Sequence, residues 1–243
     1  MDTKKYNAVF ISDLHLGTPA CRTKQLLDFT KSIDTKHLYL VGDIIDVVCM
    51  RHGAFWKMEH NTVIQKMLKL SRKGTKITYI PGNHDYHLKA MSGDSFGDVE
   101  IKSNAVHRAA NGKEFLVTHG DEFDGIIGRM PWLYSVGNAG NDMVESVSSV
   151  IKTTRRFLRM PEWSLSEYVK EKTNRTMKTL VGFDHLVAAK AKRMAVNGVI
   201  LGHTHIPGIT FVDGISCINC GCWTGSCTAA VELEDGTMEV IFA

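Results

Sequence analysis

The chain has 243 residues, of which 44% are hydrophobic, and a formal net charge of +3. A chain of this length can bury a sizeable core, and the hydrophobic content excludes intrinsic disorder. The mild charge gives no reason to expect a nucleic acid partner. No run approaches the roughly 20 apolar residues of a membrane span. The polar first seven residues and the six cysteines indicate a cytoplasmic protein with reduced thiols and no signal peptide.

The first third of the chain alternates between predicted strands and predicted helices. Apolar runs predict strands at 6–12, 37–41 and Lys76–Ile80, and helical spacing predicts helices at Thr23–Ser32 and 61–73. This alternation is typical of an α/β unit with parallel strands. Ligands of such sheets bind at the carboxyl ends of the strands, so the loops after these strands are candidate binding loops.

The rest of the chain predicts short strands on both sides of a helical block. Strands are expected at 99–101, 105–109 and 114–118, and then from 198 to the end, with hairpin turns at Asp213-Gly214 and Asp235-Gly236. Between them, helical periodicity covers 142–160 and 164–194. We therefore expect a core formed by residues 1–121 and 198–243, interrupted by a helical cap insertion at 122–197.

Five short motifs stand where predicted strands give way to turns: SDLHL at 12–16, GDIID at 42–46, GNHD at 82–85, THGD at 118–121 and GHTH at 202–205. Each motif alone is weak, since a lone histidine is more often a structural residue than a ligand. The two histidines of GHTH are more informative, because residues two apart on a strand point the same way. Together the motifs supply seven candidate metal ligands: Asp13, His15, Asp43, Asn83, His119, His203 and His205.

The donor set indicates the kind of metal. Imidazole and carboxylate groups with one amide oxygen favour manganese, with iron and zinc as alternatives, over a structural zinc site. Seven ligands are too many for one tetrahedral ion and suit two divalent ions about 3.5–4 Å apart that share a carboxylate. A second cluster, Cys217, Cys220, Cys222 and Cys227, lacks the paired spacing of a zinc site, and its thiols are interpreted as small hydrophobic groups.

The order of the five motifs resembles the calcineurin-like metallophosphoesterase superfamily from Ser12 to His205. The resemblance implies an α/β fold, a four-layer αββα sandwich, here with the helical cap, that hydrolyses phosphoesters by attack of a metal-bridged hydroxide. It also implies the residue roles. Asp13, His15 and His205 would hold one metal, Asn83, His119 and His203 the other, with Asp43 bridging both and His84 acting on the phosphoryl group. Asp46 and Asp85 are each expected either to support this site, Asp85 by orienting His84, or to cap a loop.

Within the superfamily, the chain resembles most the UDP-2,3-diacylglucosamine diphosphatase branch. The resemblance rests on GDIIDVV with the aromatic and basic residues after it, on THGDEFD, on the helical insertion and on NCGCWTGSCTAAVE. It implies a nucleotide-diphosphate lipid substrate and a cap with an apolar chamber, to which Trp132 and Leu133 would contribute. The basic residues Arg155, Arg156 and Arg159 of the helical block fit either a peripheral contact with the inner membrane or a solvated helix face. The chain departs from the branch at His84, where members carry Arg, and at Cys222, where relatives tend to carry an acidic residue.

Two other functions fit parts of the pattern. A general phosphodiesterase or nucleotide hydrolase would use the same motifs with a polar, open cap. A non-catalytic interaction scaffold on this fold would be expected to have lost ligands, and none of the seven is missing.

Overall fold

The computed structural model describes residues 3–51, 53, 55–124 and 183–243. The chain divides into two compact units, one formed by Met1–Glu122 with Asp184–Ala243 and the other by Phe123–Phe183. Nearly all of the second unit lies outside the described residues. The predicted helix 142–160 and most of the predicted helix 164–194 also lie outside the described residues. The same is true of the apolar and basic residues from which a chamber and a membrane contact are expected. The cap at 122–197 therefore stays a prediction.

A seven-stranded sheet forms the first half of the core, in the order β12-β11-β1-β2-β3-β5-β4. Strands β1 to β3 and β5 run parallel, and the three remaining strands pair antiparallel to their neighbours. The strand bounds are β1 Lys4–Ile11, β2 Ile33–Val41, β3 Lys76–Ile80, β4 Ser95–Phe96, β5 Val99–Ile101, β11 Thr228–Glu232 and β12 Met238–Phe242.

A five-stranded sheet forms the second half, in the order β6-β7-β8-β10-β9. The pairs β7–β8 and β8–β10 are parallel, whereas β6–β7 and β10–β9 are antiparallel. The strand bounds are β6 Ala105–Arg108, β7 Glu114–Val117, β8 Gly198–Leu201, β9 Gly208–Val212 and β10 Ile215–Asn219.

Four α-helices are described: α1 Thr23–Ser32, α2 Val47–Met50, α3 Met58–Arg72 and α4 Phe183–Arg193. Short 3-10 helices lie at Tyr86–Met91 and Asp121–Phe123. In the described part of the chain, no helix is long and apolar enough to cross a membrane.

The alternation of side chains along the central strands assigns the two faces of the large sheet. In β1, Val9 and Ile11 join a core that also contains residues of α1 and α3. The residues between them, Ala8 and Phe10, join a second core with Phe115, Ile200 and Ile218 of the smaller sheet. Successive side chains of a strand point to opposite faces. The large sheet therefore packs between a helical layer and the smaller sheet.

The helix α4 covers the opposite face of the smaller sheet. In β10, Ile218 faces the core between the sheets, and the neighbouring Cys217 directs its Sγ toward the carbonyl oxygen of Asp184 at 3.9 Å. Thr210 in β9 also contacts the Asp184 carboxylate, at 3.2 Å. The order helix, sheet, sheet, helix confirms the predicted α/β sandwich.

The predicted elements that lie in the described residues agree with the observed ones to within a few residues, apart from the start of β2. Strand β4, the two 3-10 helices and α2 were not predicted. Strand β2 begins at Ile33 and not at 37, because the polar residues of its first half conceal the strand pattern. The short helix α2 begins directly after Asp46, whose side chain accepts a hydrogen bond from the Cys49 backbone N–H at 2.7 Å. A carboxylate at this position is a favourable N-cap.

Candidate metal centre

The five motifs come together where their strands end. SDLHL, GDIID and GNHD follow β1, β2 and β3, which are adjacent and parallel, while THGD and GHTH follow the adjacent parallel strands β7 and β8. The backbone is strained here. Five of the seven candidate ligands have left-handed φ angles between 48° and 63°: Asp13, His15, Asp43, His203 and His205. Such conformations cost about 1–3 kcal/mol each for a non-glycine residue and cluster at functional sites.

Asp13, His15 and His205 form the first group. The Asp13 Oδ1 atom lies 3.1 Å from His205 Nε2 and 3.9 Å from His15 Nε2. The other carboxylate oxygen, Oδ2, accepts hydrogen bonds from the Ser12 hydroxyl at 2.6 Å and from the His203 backbone N–H at 2.9 Å. These bonds fix the carboxylate so that Oδ1 points at the two imidazole rings.

Asp43, Asn83 and His119 form the second group. His119 Nε2 lies 3.4 Å from Asp43 Oδ2 and 3.2 Å from Asn83 Oδ1. Its other ring nitrogen, Nδ1, lies 3.0 Å from the Val41 carbonyl oxygen and donates to it, which leaves Nε2 as the donor atom toward a metal. The His203 ring packs edge-on against that of His119, with 5.1 Å between centroids.

Asp43 lies between the two groups. Its Oδ2 atom is 3.4 Å from His119 Nε2 and 3.9 Å from His15 Nε2, while its Oδ1 accepts a hydrogen bond from the His84 backbone N–H at 2.8 Å. One carboxylate oxygen thus faces a ligand candidate from each group. This is the position that a bridging carboxylate of a dinuclear centre would occupy.

Two glycines of the motifs are required by close approach. A Cβ atom on Gly82 would overlap the Asp43 Oδ1 atom and the His119 ring, and a Cβ on Gly202 would overlap Ser12 Oγ and Asp13 Oδ2. Any side chain at either position would displace a candidate ligand. This close approach explains why GNHD and GHTH each begin with glycine.

The donor atoms fit divalent cations. Asp13 Oδ1 and His15 Nε2 are buried and have no hydrogen-bond partner in the structure. A buried polar atom without a partner is costly, so such atoms indicate a missing ligand. In the described part of the chain, two clusters with metal-ligating geometry contain only candidate ligands: Asp13 with His15 and His205, and Asp13 with Asp43 and His119.

The electrostatics of the metal-free site show how strongly these groups attract positive charge. Burial, the largest effect, disfavours a charged His205 ring, but its contacts with Asp13 and Cys222 outweigh it and raise the pKa of His205 to about 11. Burial opposes charge on His119 in the same way, and Asp43 and Asp13 outweigh it and raise the pKa of His119 to about 9. Burial raises the pKa of the Asp13 carboxyl, but contacts with His205 and His119 outweigh it and lower the pKa below its usual value.

We expect metal binding to release protons. At neutral pH the metal-free protein holds protons on His205 and His119, because the pH lies below pKa values of about 11 and 9. A metal binds only the neutral imidazole, so protons compete with it and affinity should fall as the pH is lowered through about 11, and more steeply below about 9. Calorimetric titration with manganese in buffers of different ionisation enthalpy measures the released protons. The exposed His185→Gln should release the same number as wild type, and the absence of any release would contradict this electrostatic account.

His84 and Asp46 form a third cluster beside the metal ligands. Asp46 Oδ1 lies 2.9 Å from His84 Nδ1, and Asp46 Oδ2 lies 2.8 Å from His15 Nδ1. One carboxylate thus contacts both the predicted catalytic histidine and a predicted metal ligand. The His84 side chain is 29% exposed, so its ring is accessible from solvent while Nδ1 faces Asp46.

Of the two roles expected of Asp85, the structure shows the loop cap and not the orientation of His84. Asp85 is fully buried and accepts hydrogen bonds from the Ile44 backbone N–H at 2.9 Å, from Gly82 N–H at 2.6 Å and from the Tyr79 hydroxyl. It therefore ties the GDIID loop to the GNHD loop and so acts on the geometry of both. The carboxylate that faces His84 is that of Asp46, at 2.9 Å from Nδ1.

The cysteine cluster gives no sign of a zinc site. Cys217, Cys220, Cys222 and Cys227 are free thiols, and none of the metal-ligating clusters found in the described residues contains a cysteine. Cys222 nevertheless contacts the site. Burial raises the pKa of its thiol, but a hydrogen bond with His205 outweighs burial and lowers the pKa to about 6. The sequence marks this position only as a departure from related chains.

The two-sheet fold brings together carboxylates and imidazoles that could hold metal ions. The chain belongs to the calcineurin-like phosphoesterase family, whose sequence model matches residues 6–207. That match includes all five motifs.

Curated relatives share this family at low identity. The chain is 23% identical to a UDP-2,3-diacylglucosamine hydrolase of Blochmanniella pennsylvanica (strain BPEN), over 96% of this chain and 94% of the relative. A protein of the same name from Histophilus somni (strain 129Pt) is 31% identical, over 46% of this chain and 48% of the relative. A DNA polymerase II small subunit of Pyrococcus furiosus is 22% identical over 54% of this chain and 26% of that protein.

Solved structures with a similar chain path include an archaeal phosphodiesterase and Vps29 of Entamoeba histolytica. The first has a TM-score of 0.47 and 17% identity, covering 97% of this chain and 99% of that one. The second has a TM-score of 0.45 and 12% identity, covering 96% and 97%.

Proposed function

We propose that this protein is a dinuclear-metal hydrolase of phosphoester or phosphoanhydride bonds. The observation that carries the proposal is the position of Asp43, whose Oδ2 lies within 4 Å of an imidazole nitrogen from each ligand group. Asp13, His15 and His205 would hold one cation, Asn83, His119 and His203 the other, and Asp43 would contact both. Divalent cations held there would supply positive charge to stabilise the negatively charged transition state of phosphoryl transfer.

His84 is proposed to act as the acid for the leaving group. Its Nδ1 atom is buried and faces the Asp46 carboxylate at 2.9 Å, which leaves Nε2 for the accessible side of the ring. A neighbouring carboxylate fixes the orientation of an imidazole and stabilises its charged form. The Nε2 proton can then pass to the oxygen that departs from phosphorus. General acid catalysis of this kind contributes about 10²–10⁴-fold to a rate.

The proposed substrate is UDP-2,3-diacylglucosamine or a similar nucleotide-diphosphate lipid. The support is the relative named UDP-2,3-diacylglucosamine hydrolase, whose match covers 96% of this chain and 94% of the relative. The site itself supports hydrolysis at phosphorus without selecting the groups attached to it. A general phosphodiesterase is the second candidate, because His84 differs from the residue expected in the lipid-specific branch.

Incubation with UDP-2,3-diacylglucosamine is expected to yield UMP and the acyl-sugar monophosphate, because cleavage of the diphosphate separates them. Chromatographic detection of UMP measures this product. A chromogenic phosphodiester assayed in parallel reports the metal centre alone. Diester hydrolysis without UMP would contradict the lipid substrate and favour the general phosphodiesterase, and absence of both activities would contradict the hydrolase itself.

Manganese is proposed as the native metal. The donor set has carboxylate and amide oxygens beside imidazole nitrogens and no thiolate, a combination that suits manganese or iron better than a structural zinc ion. Activity recovered after chelation and separate addition of manganese, iron and zinc would rank the metals. Highest activity with zinc would contradict the choice of manganese.

A lipid substrate would also place the protein at the cytoplasmic face of the inner membrane, since the two acyl chains reside there. The contact is proposed to be peripheral. Sedimentation with anionic liposomes tests it, and protein that stays in the supernatant would contradict membrane contact.

A further inference from the structure

A basic cavity lies at the first residues of β2, the end of that strand opposite to the metal centre. It has a volume of about 520 Å³ and is bordered by the C-terminal ends of α1 and α3 and by the first residues of β2. The candidate ligand Asp43 lies two residues beyond Val41, the last residue of β2. Eight residue steps at about 3.3 Å each separate the two ends of that strand by roughly 25 Å. The cavity is therefore distinct from the catalytic loops.

The charges around this cavity are unbalanced. Four lysines line it, Lys31, Lys36, Lys66 and Lys73, and Asp34 is the one carboxylate among the described residues of its wall. The ammonium of Lys31 is paired with Asp28 outside the cavity, at 3.1 Å. The ammonium of Lys36 donates to the neutral Asn7 amide oxygen at 2.8 Å. The wall thus carries a formal charge of +3 from four cations and one anion.

Lys66 shows the effect of this crowding most clearly. Its side chain is half-buried on α3. Burial lowers the pKa of its ammonium, and the charged groups that lower it further are three other lysines, Lys69, Lys73 and Lys31. Like charges held close together at a partly buried position destabilise the ligand-free protein. An arrangement of this kind is relieved when an anion binds among the cations.

The helix dipole explains only part of the cluster. Lys31 lies in the last turn of α1 and Lys73 directly follows α3, where a cation interacts favourably with the helix C-terminus. The dipole effect falls off within the last turn. Lys66 lies six residues before the end of α3, and Lys36 lies in β2. These two lysines therefore need another reason to face the same cavity.

We propose that this cavity binds a small, multiply charged anion that carries phosphate. The volume of about 520 Å³ lies within the usual range of small-molecule sites. A lysine ammonium binds phosphate as a compact point charge, and several ammonium groups can share one phosphate. A formal charge of +3 suits a multivalent anion better than a single carboxylate. The threonine hydroxyls of Thr30, Thr35 and Thr75 already donate to backbone carbonyls, so the lysines are the charged donors to the ligand, with the Thr3 hydroxyl beside them.

Titration with inorganic phosphate at constant ionic strength tests the proposal. Calorimetry on the metal-loaded protein should show a binding event that persists in Asp43→Asn, since the cavity is remote from the metal centre. Lys66→Gln and Lys73→Gln should each weaken this event by about tenfold, which corresponds to the loss of one ammonium contact. Lys24→Gln is the matched control, because Lys24 is an exposed lysine of α1 that pairs with Asp28 outside the cavity.

The outcomes separate this site from the metal centre. Lys66→Gln and Lys73→Gln should hydrolyse a chromogenic diester at the wild-type rate. Phosphate binding at the cavity is measured without turnover, so that measurement does not depend on whether the protein is a hydrolase. The cavity proposal is overturned if no phosphate binding survives in Asp43→Asn. It is also overturned if Lys24→Gln weakens binding as much as Lys66→Gln, because the effect would then be one of overall charge.

Discussion

Replacement of Asp43 by Asn is expected to reduce turnover on the order of 10³-fold or more. The substitution keeps the shape of the side chain and removes the negative charge that faces both His15 and His119. Both proposed cations would lose a shared ligand, and with them several kcal/mol of transition-state stabilisation, where each 1.36 kcal/mol is about tenfold in rate. Steady-state hydrolysis of a chromogenic phosphodiester in the presence of manganese measures the effect.

The matched control is Asp28→Asn. Asp28 is an exposed aspartate of α1 that pairs with Lys24 and Lys31, so its loss alters net charge equally without touching the metal centre. Metal content should fall in Asp43→Asn and stay at the wild-type level in Asp28→Asn. If Asp43→Asn turned over at the wild-type rate with full metal content, the dinuclear mechanism would be refuted.

His84→Ala is expected to lower kcat by about 10²–10⁴-fold with little change in metal content. The imidazole is not among the seven proposed ligands, and its predicted contribution is the proton given to the leaving group. A substrate with a very acidic leaving group needs no such proton. The defect should therefore shrink as the leaving-group pKa falls, and measuring kcat across a series of aryl esters tests this dependence.

Asp46→Asn tests whether one carboxylate supports both His84 and the candidate metal ligand His15. Asp46 contacts His84 Nδ1 at 2.9 Å and His15 Nδ1 at 2.8 Å, so its loss should lower both kcat and metal affinity, the latter by about 10–100-fold. The effects of His84→Ala and Asp46→Asn on kcat should be less than additive, since Asp46 acts on the leaving group only through the His84 imidazole. The exposed His185→Ala in α4 serves as the histidine control. Strict additivity would contradict a shared role.

The sequence predicts the fold well, because its signals are local. The apolar runs at Lys76–Ile80 and Gly198–Leu201 become strands with the expected bounds, and Thr23–Ser32 becomes a helix with the expected bounds. Periodicity and turn residues determine such elements within a short window of the chain. Strand β2 was predicted too short for the same reason, since the polar residues of its first half interrupt the apolar run.

The candidate site was predictable in composition but not in its supporting contacts. Asp46 and Asp85 each end a motif and look equivalent in the sequence. Only the folded chain shows that Asp46 faces His84, whereas Asp85 binds the backbone of the GDIID and GNHD loops. Which of two nearby carboxylates faces a given histidine depends on the path of three separate loops.

By itself the sequence determined the elements, the five motifs and the types of donor atom, because each of these depends on residues close together in the chain. The tertiary structure decided which donors share a carboxylate, as His15 and His119 share Asp43. It also decided that the left-handed turns at Asp13 and Asp43 aim their carboxylates into one site, and that Lys36 and Lys66 face one cavity. These features depend on the packing of segments that are remote in sequence, and a pattern of neighbouring residues does not specify distances across a sheet.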